Sequence, residues 1–106
     1  MQLLAHDMLQ QLPASLIPRL IDMFSATTPE LLGEIQQTAA NGDLLAMSQA
    51  AHKLKGSCLS LGAERMAELC QTLQHQGERN DATGMDGYIT ELVSIYPTTL
   101  AAMKSL

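Results

Sequence analysis

Tryptophan is missing from this chain of 106 residues, and the other aromatics are one Phe and two Tyr. Strands draw on aromatic and β-branched side chains, so the scarcity argues for helices, as do seven Met and many Leu and Ala. Basic residues are also few: six Lys and Arg stand against eleven Asp and Glu, for a net charge of −5. Without a basic field to displace counterions, nucleic acid is not an expected partner. No apolar run approaches the length of a bilayer crossing, and no basic stretch followed by an apolar one opens the chain. A cytoplasmic domain without membrane contact is expected. Cysteine is limited to Cys58 and Cys70, both at helix-stripe positions. Buried free thiols are expected from them, rather than a disulfide or a metal site. His6, His52 and His75 add no ligand pair whose spacing would converge on one ion. The length allows one domain with one modest core, and no repeat, low-complexity tract or linker divides it.

Apolar spacing supplies the elements. Gln2 to Leu12 is a short amphipathic segment with Leu4, Met8 and Leu12 on one face, ended by Pro13. It reads as an accessory helix over one end of a bundle, or else as a frayed tail. Ser15 is a candidate cap for the next helix, with Pro18 in its first turn. Ile17, Leu20, Ile21, Phe24, Leu31, Leu32, Ile35 and Ala39 follow. Residues before and after Pro29 fall on one stripe at the helical step of about 100°. Two independent helices would not stay in register, so one long helix is expected, kinked a turn before Pro29. Asn41-Gly42 closes it.

Asp43 is a suitable N-cap for a third helix whose stripe is Leu44, Met47, Ala51, Leu54, Cys58 and Leu61. Leu61-Gly62 ends it. A fourth helix starts at Ala63, turns Met66, Leu69, Cys70 and Leu73 inward, and stops near Gly77. After a polar loop the last helix runs from Met85 to Lys104. Its face is Met85, Tyr88, Ile89, Leu92, Tyr96, Leu100 and Met103, and Pro97 lies inside the stripe. The expected fold is all-α: an antiparallel four-helix bundle over Ser15 to Lys104 with the short N-terminal accessory helix.

The stretch AHKLKGSCLSLGA, Ala51 to Ala63, does not follow from packing alone. In projection, His52 lies roughly 130° from the centre of the buried stripe, so its ring is expected in solvent. Gly56, one turn later, is almost opposite the core. A glycine inside a helix costs about 1 kcal/mol relative to alanine, and open access to the imidazole would offset that. Lys55, three residues on, can reach the same region, whereas Lys53 points about 100° away. Leu45, Ser48 and Leu59 share the exposed side of the helix. Exposed leucines on a polar stripe suggest a docking face. Each signal has a plain alternative: a solvated histidine, and lysines placed by the helix macrodipole.

Together, at this spacing, the residues closely resemble the signature of histidine phosphotransfer domains of phosphorelays. His52, Leu54, Lys55, Gly56, Ser57, Leu61 and Gly62 match its pattern. NGDLLAMSQA and FSATTPELLGEI resemble the approach to that helix and the long helix before it. The run SCLSLG…LCQTLQ looks most like C-terminal modules of hybrid sensor kinases, which would make this the cytoplasmic part of a membrane sensor. The resemblance implies that His52 accepts and donates a phosphoryl group, that Lys55 interacts with the phosphate, and that Gly56 keeps the approach open. It also implies a glutamine near the phosphohistidine, which by spacing is Gln74. Some relatives carry a basic residue one turn further; here that position is Glu78, with Arg79 next.

A neutral imidazole is a competent nucleophile, and a free one is largely neutral near pH 7. The expected partners are response-regulator receiver domains, which would supply Mg²⁺ and most catalytic groups. The chain itself resembles no nucleotide-binding loop, so no cofactor, no kinase activity and a monomeric carrier are expected. Two rivals remain at this point. One is the phosphate-accepting domain of a chemotaxis-type kinase. The other is a non-catalytic module docking through the Leu45–Leu59 face.

Overall fold

The computed structural model describes residues 2–105, apart from the side chains of His6 and Met8. α1 (His6–Gln10) is short, followed by α2 (Ile17–Ala40), α3 (Leu44–Ser60), α4 (Glu64–Glu78) and α5 (Met85–Lys104). There is no strand among the described residues. α2 packs on α3 and α5, and α4 packs on the same two, so the four long helices close a ring. With 24 residues at about 1.5 Å each, α2 runs most of the molecule's 41 Å length. The core lies between the four helices, where Ile35, Met47, Leu54, Met66, Leu73 and Leu92 are fully enclosed.

The helix ends explain the tight connections. After α2, the Gly42 amide donates to the Ala39 carbonyl and the Asp43 amide to Thr38 at 2.9 Å, a Schellman closure. Asp43 then caps α3, its carboxylate accepting from the Ala46 amide at 3.1 Å. α3 ends in the same way, through Ala63 to Cys58 at 2.8 Å. Here Gly62 is required twice over. Its φ is +68°, and a Cβ would stand 3.1 Å from the Ala5 carbonyl oxygen. The Ala5 amide in turn donates to Gly62 at 2.7 Å, which docks the N-terminal segment on the bundle. Leu4 and Leu9 are buried there. Leu12 packs against the core, while the expected contribution of Met8 lies outside the described residues.

Pro29 and Pro97 each sit inside a continuous helix, with exposed rings. A proline on the wet face leaves its freed carbonyl to solvent, so neither helix is split. Arg65 ties α4 to α5 by donating from Nε and Nη2 to the two carboxylate oxygens of Glu91, at 2.6 and 2.7 Å.

Several sequence expectations need correction. Ser15 does not cap α2; Leu16 is the cap residue and no side chain bonds there. A backbone turn from Pro13 to Leu16 leads directly into the helix instead, because Leu16 already has helical angles. Tyr88 is exposed, not part of the α5 face, whereas Thr99 is buried with its hydroxyl bonded to Ile95. α4 ends near Gly77, as expected, but Gly77 is not the residue that closes it. The helix continues to Glu78, and Asn80, at φ 53°, takes the left-handed position after it. Gly77 belongs to the buried stripe of Met66, Cys70 and Leu73, packed directly against α3.

Candidate functional site

The α3–α4 interface is the most extensive in the bundle, and the exposed groove along it carries the sequence's candidate residues. His52 is exposed on α3. Its Nδ1 lies 3.2 Å from Oε1 of Gln74, which is half-buried on α4. An amide oxygen only accepts, so the pair is a hydrogen bond when Nδ1 carries the proton. That tautomer leaves the lone pair on Nε2, the nitrogen turned away from α4. At Gly56 a Cβ would meet nothing within 4 Å, so the space one turn above the ring is open.

The His52–Gln74 contact bridges the groove and leaves a hollow on each side. One is lined by Leu45, Ser48, Gln49, His52, Lys53, Gln74 and Glu78. The other is lined by Lys55, Leu59, Glu64, Ala67, Glu68 and Gln71. The two rim leucines expected from the sequence are both exposed, Leu45 at 61% and Leu59 at 51%, and they fall in different hollows. So do the lysines. Lys53, set aside by the helical projection, lines the hollow that contains His52, and Lys55 faces the neighbouring one. A projection of α3 alone omits α4, whose Gln74 separates the two.

Ser48 is not on the exposed face, contrary to expectation. It is 3% exposed and its hydroxyl donates to the Leu45 carbonyl at 2.7 Å. The reason lies in α4. Gly77 has no side chain, so α4 settles onto α3 until a Cβ at Gly77 would collide with Ser48 Cβ and the Leu44 carbonyl oxygen. The expectation of a helix end near Gly77 holds, but it does not include this close approach to α3. The phase of Gly77, four residues after Leu73 on the apolar stripe, was the available signal.

Cys58 and Cys70 are free and buried. The Cys58 thiol is pushed up by its hydrogen bond with Cys70 and by burial, so it stays protonated and is no nucleophile. Among the described residues no three His, Cys, Asp or Glu side chains gather where they could hold a metal ion. No helix described is long and apolar enough to cross a membrane.

A four-helix bundle presenting a glutamine-braced, solvent-facing imidazole defines a class, and the chain belongs to it: residues 19–103 match the Hpt domain family. Among individual proteins, it is 32% identical over 78 residues to Phosphotransferase RcsD of Escherichia coli (strain K12). That match covers 74% of this chain but spans only 9% of the length of RcsD. It is 24% identical over 89 residues to Phosphorelay protein LuxU of Vibrio harveyi, covering 84% of this chain and 78% of LuxU. The fold is also that of the crystal structure of histidine-containing phosphotransfer protein B (HptB) from Pseudomonas aeruginosa PAO1. The TM-score is 0.89 at 23% identity, over 97% of this chain and 92% of that one.

Proposed function

We propose that this chain is a phosphocarrier in which His52 takes a phosphoryl group from the aspartyl phosphate of a receiver domain and passes it to another receiver. The observation that carries the reading is the 3.2 Å contact between His52 Nδ1 and Gln74 Oε1 on an otherwise open ring. Gln74 holds the proton on Nδ1 and so keeps Nε2 unprotonated and pointing at the partner. In the transfer, the Nε2 lone pair attacks phosphorus in line. The P–O bond to the aspartate breaks and its electron pair leaves with the carboxylate. The positive charge that develops on the ring is shared with Nδ1–H, where the Gln74 carbonyl already accepts.

Phosphoryl transfer depends mainly on positioning and on stabilising charge. Lys55, three residues along α3, is the cation proposed to steady the phosphoryl oxygens from the adjoining hollow. Mg²⁺ and the remaining catalytic groups would belong to the receiver, and the chain would need no kinase activity of its own. Leu45 and Leu59, exposed on either side of His52, are the proposed apolar contacts with the receiver. The carrier is proposed to act as a cytoplasmic monomer.

Incubation with a phosphorylated receiver tests this. Phosphate is expected to move to the chain, and His52→Gln is expected to abolish the transfer while leaving the helical circular dichroism unchanged. Label retained on the His52→Gln variant would overturn the assignment of the acceptor.

A further inference from the structure

The hollow at His52 contains an acid that the transfer chemistry does not call for. Glu78 lines it with Lys53 and Gln74. The placement follows from the helix: Glu78 is four residues after Gln74, so the two side chains are neighbours on α4, and Gln74 touches His52. Other charges are held elsewhere. Lys55 faces the second hollow with Glu64 and Glu68, and Glu68 is paired with Arg65. Arg79, next in the chain, is exposed on the side of Asp81.

Glu78 does not serve the fold. It is the last residue of α4, where the helix macrodipole disfavours a carboxylate. It is exposed, and it takes part in no ion pair among the described residues.

We infer that Glu78 shortens the life of the phosphoryl group on His52 by electrostatic repulsion, making the carrier a ready donor and a poor store; this rests on the phosphocarrier reading above. In the empty state the hollow is lined by one charge of each sign, Lys53 and Glu78. Loading adds a group of charge near −2 on Nε2 of the ring that borders this hollow, and one lysine no longer balances the acid and the phosphoryl group together. The repulsion raises the loaded state and leaves the empty state untouched. It is relieved as the phosphoryl group departs, because charge then moves away with the leaving phosphorus.

Potassium phosphoramidate loads the ring without any receiver. Nε2 forms a bond to phosphorus, the P–N bond of the reagent breaks, and ammonia leaves. In hydrolysis a water oxygen attacks phosphorus and the P–Nε2 bond breaks. The electron pair returns to Nε2, and both water protons leave with the phosphate. The half-life of loaded chain is followed by intact mass after desalting, for wild type, Glu78→Gln, Glu78→Lys and the remote control Glu30→Gln. At low salt Glu78→Gln is expected to last about two- to fivefold longer than wild type, and Glu78→Lys longer still. Glu30→Gln is expected to match wild type, and the differences to shrink in 0.5 M salt. A half-life unchanged or shortened in Glu78→Gln overturns the inference. So does an altered rate of transfer from a receiver with the half-life unaltered, which would make Glu78 a docking residue. The two readings fail separately. A chain that takes no phosphate from receivers, yet keeps this order of half-lives, loses its carrier assignment but not the effect of Glu78.

Discussion

Gly56 is exposed on α3, with open space where a side chain would be. Nothing in the fold requires it: the position is mid-helix, and a methyl group would touch no neighbour. Gly56→Ala should therefore stabilise the protein by about 1 kcal/mol, read as a higher urea midpoint. The same methyl group stands one turn from His52, on the side from which the proposed receiver would approach. Transfer from a phosphorylated receiver should slow, and Gly56→Leu should slow it on the order of tenfold or more. Phosphoramidate, being small, should still load both variants. A stabilised Gly56→Leu that transfers at the wild-type rate would remove the reason given for the glycine. At this scale the sequence was informative wherever one helix decides the outcome. The exposure of His52 and the openness at Gly56 follow from a 100° step. The pairing with Gln74 came from the family resemblance and its spacing. Ser48 was misplaced because its surroundings are set by α4, which no projection of α3 contains.

The elements themselves were legible for related reasons. Stripes that keep phase across Pro29 and Pro97 identified two continuous helices, and Asp43, Gly42 and Gly62 marked ends that the structure retains. A glycine signal is ambiguous, however, between a stop and a close approach, and Gly77 is the second kind. It sets how near α4 lies to α3, three residues from the glutamine that braces His52. A side chain at Gly77 would meet the Leu44 carbonyl, which is helix backbone and cannot rotate away. Gly77→Ala should thus push the helices apart and cost about 1–3 kcal/mol in urea unfolding. It should also lengthen the contact between Gln74 and His52. Nitrogen-15 shifts of the imidazole would then show a smaller fraction of the Nδ1–H tautomer. A destabilised variant with an unchanged tautomer ratio would mean that the spacing of α3 and α4 does not govern the brace.

The whole molecule is held by one core whose titratable members sit on different helices, and this gives stability a distinct alkaline limb. Cys58, between α3 and α4, is raised from an ordinary value of 9.0, first by its hydrogen bond with Cys70. Tyr96 on α5, packed with its ring 5.8 Å from that of Phe24 on α2, is raised from 10.0 by burial. A raised folded-state value means the unfolded chain gives up its proton first. The associated stability is complete below the unfolded value and is lost as pH climbs toward the folded one. The urea midpoint should accordingly show no loss from these two groups up to about pH 8.5 and begin to fall above about pH 9, with Tyr96 adding to the slope above about pH 10. Tyr96→Phe keeps the ring against Phe24 and removes only the titrating hydroxyl. Its midpoint should parallel wild type below pH 9.5 and fall less steeply beyond about pH 10. Cys58 is unchanged in that variant, so the earlier part of the decline should persist. If the two curves stay parallel to pH 11, the contact between α2 and α5 does not depend on a neutral Tyr96, and the alkaline limb belongs to the Cys58 thiol alone.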